Sequence, residues 1–264
     1  MSECTLSIVS HGHGPLLDRL MKDIAALPSS ADSRIVLTLN VRDEAFDAAD
    51  YPGLDIVVIR NEKPKGFGAN HNAAFAHCRT PWFVILNPDL RFTCGDPFPA
   101  LTKSAGASGL KAIAPIIVDS AGHQEDSVRS NLTPTSLLVR QLLKRKVAVD
   151  SSFPSSRGNR FYWLAGMFMM IDSGAFADVH GFDERFFLYC EDYDLCARLY
   201  ARGHALGTEP SQKVIHEAQR DSHRSRQHMK WHLQSLYKVW TSRAFWRIVS
   251  MSRQPSAGMN RKAG

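Results

Sequence analysis

The stretch at residues 82–89, WFVILNPD, constrains the fold of this chain more than any other. Trp82 to Leu86 is an aromatic and β-branched apolar run, which predicts a buried strand. It halts at Asn87-Pro88-Asp89, where proline ends the pairing and leaves Asn87 and Asp89 at the strand's carboxyl end. In open α/β sheets, ligands bind at that end. A carboxylate beside an amide oxygen suits Mg²⁺ or Mn²⁺, which favour oxygen ligands and leave positions for phosphates. The competing reading is a turn that uses Asn-Pro-Asp only to leave the strand.

The flanking pattern repeats the same logic. Residues 6–10 read as a first strand ending at Ser10 and His11, and 15–27 as a helix with Leu16, Leu17, Leu20, Ile24 and Leu27 in helical register. Strands at 35–39 and 56–59 follow, the first closing on Asn40, and then a helix at 70–77. This alternation predicts an α/β fold with a mostly parallel central sheet covered by helices. Downstream, a helix is expected at 97–104 and a strand at 113–118. The run 161–171 reads as a strand or strand pair, with Gly166 at a close approach. A helix runs from Tyr193 to near Gly203, and a last strand at 213–216 ends on His216. Residues 119–159 are loop-rich, with a basic patch at 140–146 and a helical pattern from Leu137 to Leu143; they are expected to shape substrate choice.

Two further segments bear on chemistry. The loop from Asn61 to Asn70 contains Lys63, Lys65, Gly66 and Gly68. Its glycines allow close backbone approach just before a helix N-terminus, where free amides favour anions; a plain loop-to-helix turn would use the same residues. Glu191, Asp192 and Asp194 fall at a helix start, where they serve either as chemistry or as ordinary complements to the helix dipole.

The 264 residues suffice for one large α/β domain. No apolar stretch is long enough to span a bilayer, and the N-terminus lacks a secretion signal, so a cytoplasmic location is expected. Five scattered cysteines without a C-x-x-C pair are expected to be buried reduced thiols. The +6 charge is uneven. Residues 219–264 carry ten Lys/Arg against one Asp, a net of +9, leaving 22 basic and 25 acidic residues elsewhere. The expected organisation is therefore a catalytic domain at 1–218, a basic amphipathic helical extension at 219–253 and a disordered tail at 254–264. From 225 to 251, Met229, Leu233, Leu236, Trp240, Ala244 and Ile248 form one helical stripe, with Trp231, Val239 and Trp246 off it. Such a helix fits two roles: lying on an anionic membrane at its inner face, or packing on the domain with a solvated basic face. No nucleic-acid recognition motif accompanies the charge, so nucleic acid is not expected as a partner.

Asn-Pro-Asp after an apolar strand, followed by Gly-Phe-Asp-Glu-Arg-Phe-Phe-Leu-Tyr-Cys-Glu-Asp-Tyr-Asp-Leu at 181–195, resembles the family 2 glycosyltransferases, in particular their rhamnosyltransferase-like branch. The resemblance runs from about Leu6 to His216. It implies the GT-A sugar-nucleotide-binding fold and a metal-dependent, inverting hexosyl transfer. The donor would be a nucleoside diphosphate sugar, and the acceptor a glycan or polyisoprenyl-linked glycan in polysaccharide synthesis. It places Asp89 at the Mg²⁺ or Mn²⁺ position with Asn87 close by, His216 near the metal, and Asp192, beside Glu191, as catalytic base. Ser10, His11, Asn40 and the loop bearing Asn61, Lys65, Gly66, Gly68 and Asn70 would border the donor. Two departures stand out: Leu39-Asn40-Val41-Arg42 replaces the usual acidic end of the second strand, and His11-Gly12-His13 replaces Thr-Tyr-Asn.

Two rivals remain on sequence alone. A nucleotidyltransferase would need a glycine-rich, basic phosphate loop right after the first strand, which is not seen. A catalytically inactive relative that binds glycans or a partner is disfavoured by the intact Asp89 and Asp192.

Overall fold

The computed structural model describes residues 3–135, 161–217 and 226–253. In chain order they form β1 (Cys4–Ser10), α1 (Gly14–Ala25), β2 (Ser33–Leu39), β3 (Asp55–Arg60), α2 (Phe67–Phe75), β4 (Trp82–Leu86), β5 (Leu90–Arg91), α3 (Phe98–Ser108) and β6 (Leu110–Val118). Then come β7 (Val128–Ser130), β8 (Tyr162–Leu164), β9 (Phe168–Asp172), α4 (Ser173–Asp178), α5 (Glu191–Ala201), β10 (Ala205–His216), α6 (Arg226–Thr241) and α7 (Arg243–Arg253). The helix expected at 137–143 and the basic patch lie outside the described residues.

Eight strands make one sheet in the order β3-β2-β1-β4-β9-β6-β10-β5. β1 runs parallel to β2 and β4, β2 to β3, and β6 to β10. Only β9 and β5 are reversed against their neighbours. The sheet is thus mostly parallel and helix-covered, as the alternation of apolar runs predicts. Both faces are buried, which explains the unbroken apolarity of β4: Phe83 and Ile85 join the core under α2, α4 and α5, while Val84 and Leu86 join the core under α1 and α3. Where β1 must place polar residues on a buried face they are paired. Thr5 Oγ1 lies 2.8 Å from Thr80 Oγ1, and Ser7 Oγ lies 2.7 Å from His71 Nδ1.

The 161–171 run is two strands that turn at Gly166. The last strand is longer than expected: β10 begins at Ala205 and reaches His216 across an irregularity between Glu209 and Lys213. The C-terminal region departs most. Rather than one amphipathic helix over 225–251 it forms two, because the Ser242 hydroxyl accepts the Phe245 N–H (3.1 Å) and caps a fresh helix start. Of the stripe expected to be one face, Leu236 and Ile248 are buried but Met229 and Leu233 are exposed, and the off-stripe Val239 is fully buried. All five thiols are free; Cys4, Cys190 and Cys196 are buried, whereas Cys94 is exposed.

Candidate active site

Chain order reverses direction across the sheet between β1 and β4, the kind of switch point where α/β sheets bind ligands. Pairing of β1 with β4 stops at Ile8 and Leu86, so Asn87-Pro88-Asp89 leaves the sheet there. The two-residue β5 then pairs Leu90 with His216 and Arg91 with Ile215 at the end of β10. That short ladder brings Asp89 to His216, with Asp89 Oδ2 3.2 Å from Nε2. The other imidazole nitrogen, Nδ1, is 2.7 Å from Glu125 Oε2. Burial depresses the histidine's pKa, but the two carboxylates outweigh it and the net shift is upward. Asp89 Oδ1 is buried with no protein partner. The unpartnered Asp89 oxygen and His216 offer two candidate ligands for a divalent cation, while among the described residues no group of three or more His, Cys, Asp or Glu is placed to hold one.

On the other side of the switch point, Ser10 closes β1 and Asn40 follows β2. The Ser10 hydroxyl donates to Glu44, whose second oxygen accepts the Gly12 N–H at 3.0 Å. Ser10 Oγ in turn accepts the His13 N–H at 3.2 Å. Glu44 is buried, so a carboxylate does sit beside this strand end, four residues beyond Asn40. His13, also in this loop, has its pKa lowered by burial against the raising effect of Asp89 and Glu44.

Asn40, Asn61, Asn70 and Lys65 are brought together. Asn61 Nδ2 donates to Asn40 Oδ1 (2.9 Å) and Asn70 Oδ1 (2.7 Å), and Asn40 pairs through both side-chain atoms with the Lys65 backbone. These buried amides are spent on holding the loop's shape, while the Lys65 side chain is exposed. The nearby glycines face protein. A Cβ on Gly66 would come within 2.8 Å of the Phe187 carbonyl oxygen, and one on Gly68 within 2.6 Å of Phe182 Cβ. The close approach they allow is that of residues 182–187, and the Phe67 N–H at the helix start donates to Phe187 O at 3.0 Å.

That same segment leads into the third group. Tyr189 and Cys190 both take positive φ (73° and 63°), rare for side-chain-bearing residues and held here by surrounding packing. α5 then begins at Glu191, with Asp192 and Asp194 also in its first turn. Asp192 Oδ2 accepts the Gly166 N–H (3.1 Å), and Oδ1 accepts the Tyr193 N–H (2.8 Å). Burial raises the Asp192 pKa, while Arg129 and these amides hold it back. No hydrogen bond or ion pair among the described residues joins Asp192 directly to Asp89 or His216. The link is the turn before β9, where Gly166 binds Asp192 and the next residue's carbonyl, Met167 O, binds the Asn87 N–H at 2.9 Å.

Glu191 is buried and its Oε2 has no protein partner. Burial first, then the Asp192 charge, raises its pKa, so it holds a proton well above the usual carboxylate range. The folded state therefore binds this proton more tightly than the unfolded chain. The stabilisation is present at low pH and lost as pH climbs from the ordinary carboxylate range through the raised value. Glu191→Gln is expected to flatten that slope. By thermal denaturation its Tm should exceed the parent's at pH 9 by about 2–4 °C per kcal/mol relieved, with the gap closing towards pH 5. A gap independent of pH would show that Glu191 ionises freely.

Glu44, Glu125 and Arg129 carry no local sequence signal that marks them for the site. Glu125 and Arg129 belong to the loop-rich stretch after β6, where no periodicity marks them. Arg129 lies over the Trp163 ring, 5.1 Å from its centroid, with its Nε bonded to Asp126 O at 2.9 Å.

A mostly parallel, helix-covered sheet whose switch point brings Asp89 to His216 matches the architecture of GT-A nucleotide-sugar transferases. The profile described as Glycosyl transferase family 2 matches residues 38–176, more than half of the chain, and the chain belongs to that family. It is a glycosyltransferase, similar to rhamnosyltransferases. It is 28% identical to Rhamnosyltransferase WbbL of Escherichia coli (strain K12), over 92% of this chain and 97% of that protein. It is 24% identical to the N-acetylglucosaminyl-diphospho-decaprenol L-rhamnosyltransferase of Mycobacterium tuberculosis (strain ATCC 25618 / H37Rv), over 90% and 85%. Among solved structures, it resembles mannosyltransferase PcManGT from Pyrobaculum calidifontis in complex with GDP-Man and Mn²⁺ (TM-score 0.63, 14% identity). It also resembles GalNAc-T7 with UDP, GalNAc and Mn²⁺ (TM-score 0.61, 17% identity). The matches cover 89% and 83% of this chain but 63% and 44% of those chains, and at such identities the likeness is one of fold.

Proposed function

We propose that the protein is a metal-dependent, inverting transferase that moves rhamnose or a related hexose from a nucleoside diphosphate to a lipid-linked glycan during polysaccharide synthesis. The observation that carries this reading is the meeting of Asp89 and His216 at the switch point with one carboxylate oxygen left unpartnered. The mycobacterial relative is named for a decaprenol-linked acceptor and L-rhamnose, which favours a polyisoprenyl carrier reached at a membrane surface. Residues 1–218 would carry the transfer, and the basic extension after them would serve the acceptor's side.

In this reading Ser10, His11 and Asn40 border the nucleoside, with Glu44 supplying the carboxylate absent from the end of β2. Lys65 and Asn87 flank the diphosphate, and Asn61, Gly66, Gly68 and Asn70 keep that wall in shape. Asp89 and His216 would hold the cation, which when bound stabilises negative charge on the departing diphosphate. Asp192 takes the proton of the acceptor hydroxyl as its oxygen forms a bond to the anomeric carbon. The bond from that carbon to the diphosphate breaks, its electron pair leaves with the nucleoside diphosphate, and the configuration inverts. The raised pKa of Asp192 strengthens it as a base.

Glu125 is then a positioning residue, keeping the proton on Nδ1 of His216 and the Nε2 lone pair free for metal. Glu125→Ala is expected to weaken Mn²⁺ binding about 10- to 100-fold by calorimetry. Nucleotide affinity without metal should not change, and unaltered Mn²⁺ affinity would remove Glu125 from this role. The proposed function itself is tested by titrating nucleoside diphosphates with and without Mn²⁺, then trapping the product. A sugar transferred with inversion supports it. Released pyrophosphate, or no nucleotide binding, would overturn it.

A further inference from the structure

The two C-terminal helices have opposite faces with opposite duties. Inward, Leu236, Val239, Phe245 and Ile248 join the core. On the same side, the Ser235 hydroxyl donates to Leu188 O (3.0 Å), Tyr189 Oη lies 2.7 Å from His228 Nδ1, and the Lys238 ammonium donates to Arg185 O. α6 therefore grips residues 185–189, the segment that runs into Glu191 and Asp192.

Outward, Met229, Leu233 and Tyr237 follow one another at i, i+4 and i+8 on α6, with 62%, 60% and 69% of their surface exposed, and Trp246 on α7 is 58% exposed. Large apolar side chains so exposed and so aligned mark a contact surface. Its charge says which kind. The sequence from Arg226 to Arg253 has six Lys/Arg and no Asp or Glu; Lys238 turns inward, and Lys230, Arg243 and Arg247 are exposed. A protein partner of ordinary mixed charge would not call for so one-sided a complement. An anionic bilayer does: it takes Met, Leu, Tyr and Trp at headgroup depth and attracts the surrounding cations.

We propose that the outward face of α6 and α7 seats the enzyme on an anionic lipid surface. Met229, Leu233, Tyr237 and Trp246 enter the headgroup region, and Lys230 and Arg247 meet lipid phosphates. This deepens the lipid-linked acceptor reading: the helix that touches the lipid is the one that holds the segment leading to Asp192, so the glycan is presented beside the base. Among the described residues no helix is long and apolar enough to cross a membrane, and surface seating needs none.

The test is co-sedimentation of the full chain with phosphatidylcholine vesicles, with and without phosphatidylglycerol, across a salt series. Expected is binding to the phosphatidylglycerol vesicles that weakens with salt and falls at least about tenfold in the variant carrying Met229→Ser, Leu233→Ser and Tyr237→Ser. Mn²⁺-dependent nucleotide binding, measured on the same samples, reports folding of the variant and the transferase reading independently of lipid. Absence of sedimentation by the parent protein would overturn the proposal. So would equal binding to both vesicle types, or an unaffected variant. If instead the triple variant changes only the oligomeric state, the face joins copies of the chain and the lipid assignment fails.

Discussion

Asp192→Asn is expected to lower the rate of sugar transfer by about 10²- to 10⁴-fold, the usual contribution of a positioned general base, with little change in donor affinity. The carboxylate accepts two backbone N–H groups, one on each oxygen. Asparagine has a single acceptor oxygen, so the variant loses one of these bonds as well as the ability to take a proton. The two effects separate experimentally: loss of the base lowers kcat, whereas misplacement of the α5 start would also disturb thermal stability and donor binding. Glu191 is the weaker candidate for the role, because burial raises its pKa and favours its protonated form. Turnover at the parent rate in Asp192→Asn, with donor affinity intact, would sink the assignment.

The second large effect is expected at Asp89. Asp89→Ala removes the unpartnered oxygen and one of the two carboxylates facing His216. The Mn²⁺-dependent part of nucleotide affinity should fall by at least about 100-fold, beyond the cost typical of outer-shell changes. Binding measured in chelator should be the same in variant and parent. If the parent protein binds nucleotide equally well with and without Mn²⁺, Asp89 and His216 hold no functional metal.

Much of this architecture is legible in residue order because local rules act over a few positions. The apolar run before Asn87 had to be a buried strand, since no side of it is polar, and the three acids ahead of Leu195 mark the start of α5 by the helix dipole. The chain departures at Asn40 and His11 are equally plain. What fills the gap is not: Glu44 reaches Ser10 from 34 residues away, and Glu125 reaches His216 from 91. Neither carries a periodic or turn signal. Asn61 and Asn70 were recognisable as polar loop residues, but only their mutual bonding reveals that their amides face one another. Gly66 and Gly68 suggested a phosphate loop; the close approach is made by Phe182 and Phe187, which lie more than a hundred residues later.

The C-terminal helices draw the line most clearly. Helical periodicity and the excess of cations follow from sequence alone, because both are properties of neighbouring residues. Which face is buried does not. The break at Ser242 resets the register between α6 and α7, and the docking of α7 on α5 turns Val239 inward and Met229 outward. By itself, then, the sequence determined the kinds of element, their order, the strand ends that carry Asp89 and His216, and the acidic start of α5. Tertiary structure alone decided which of those ends meet, which carboxylates support them and which apolar face stays uncovered. Those outcomes depend on contacts between distant segments, and no short-range pattern encodes them.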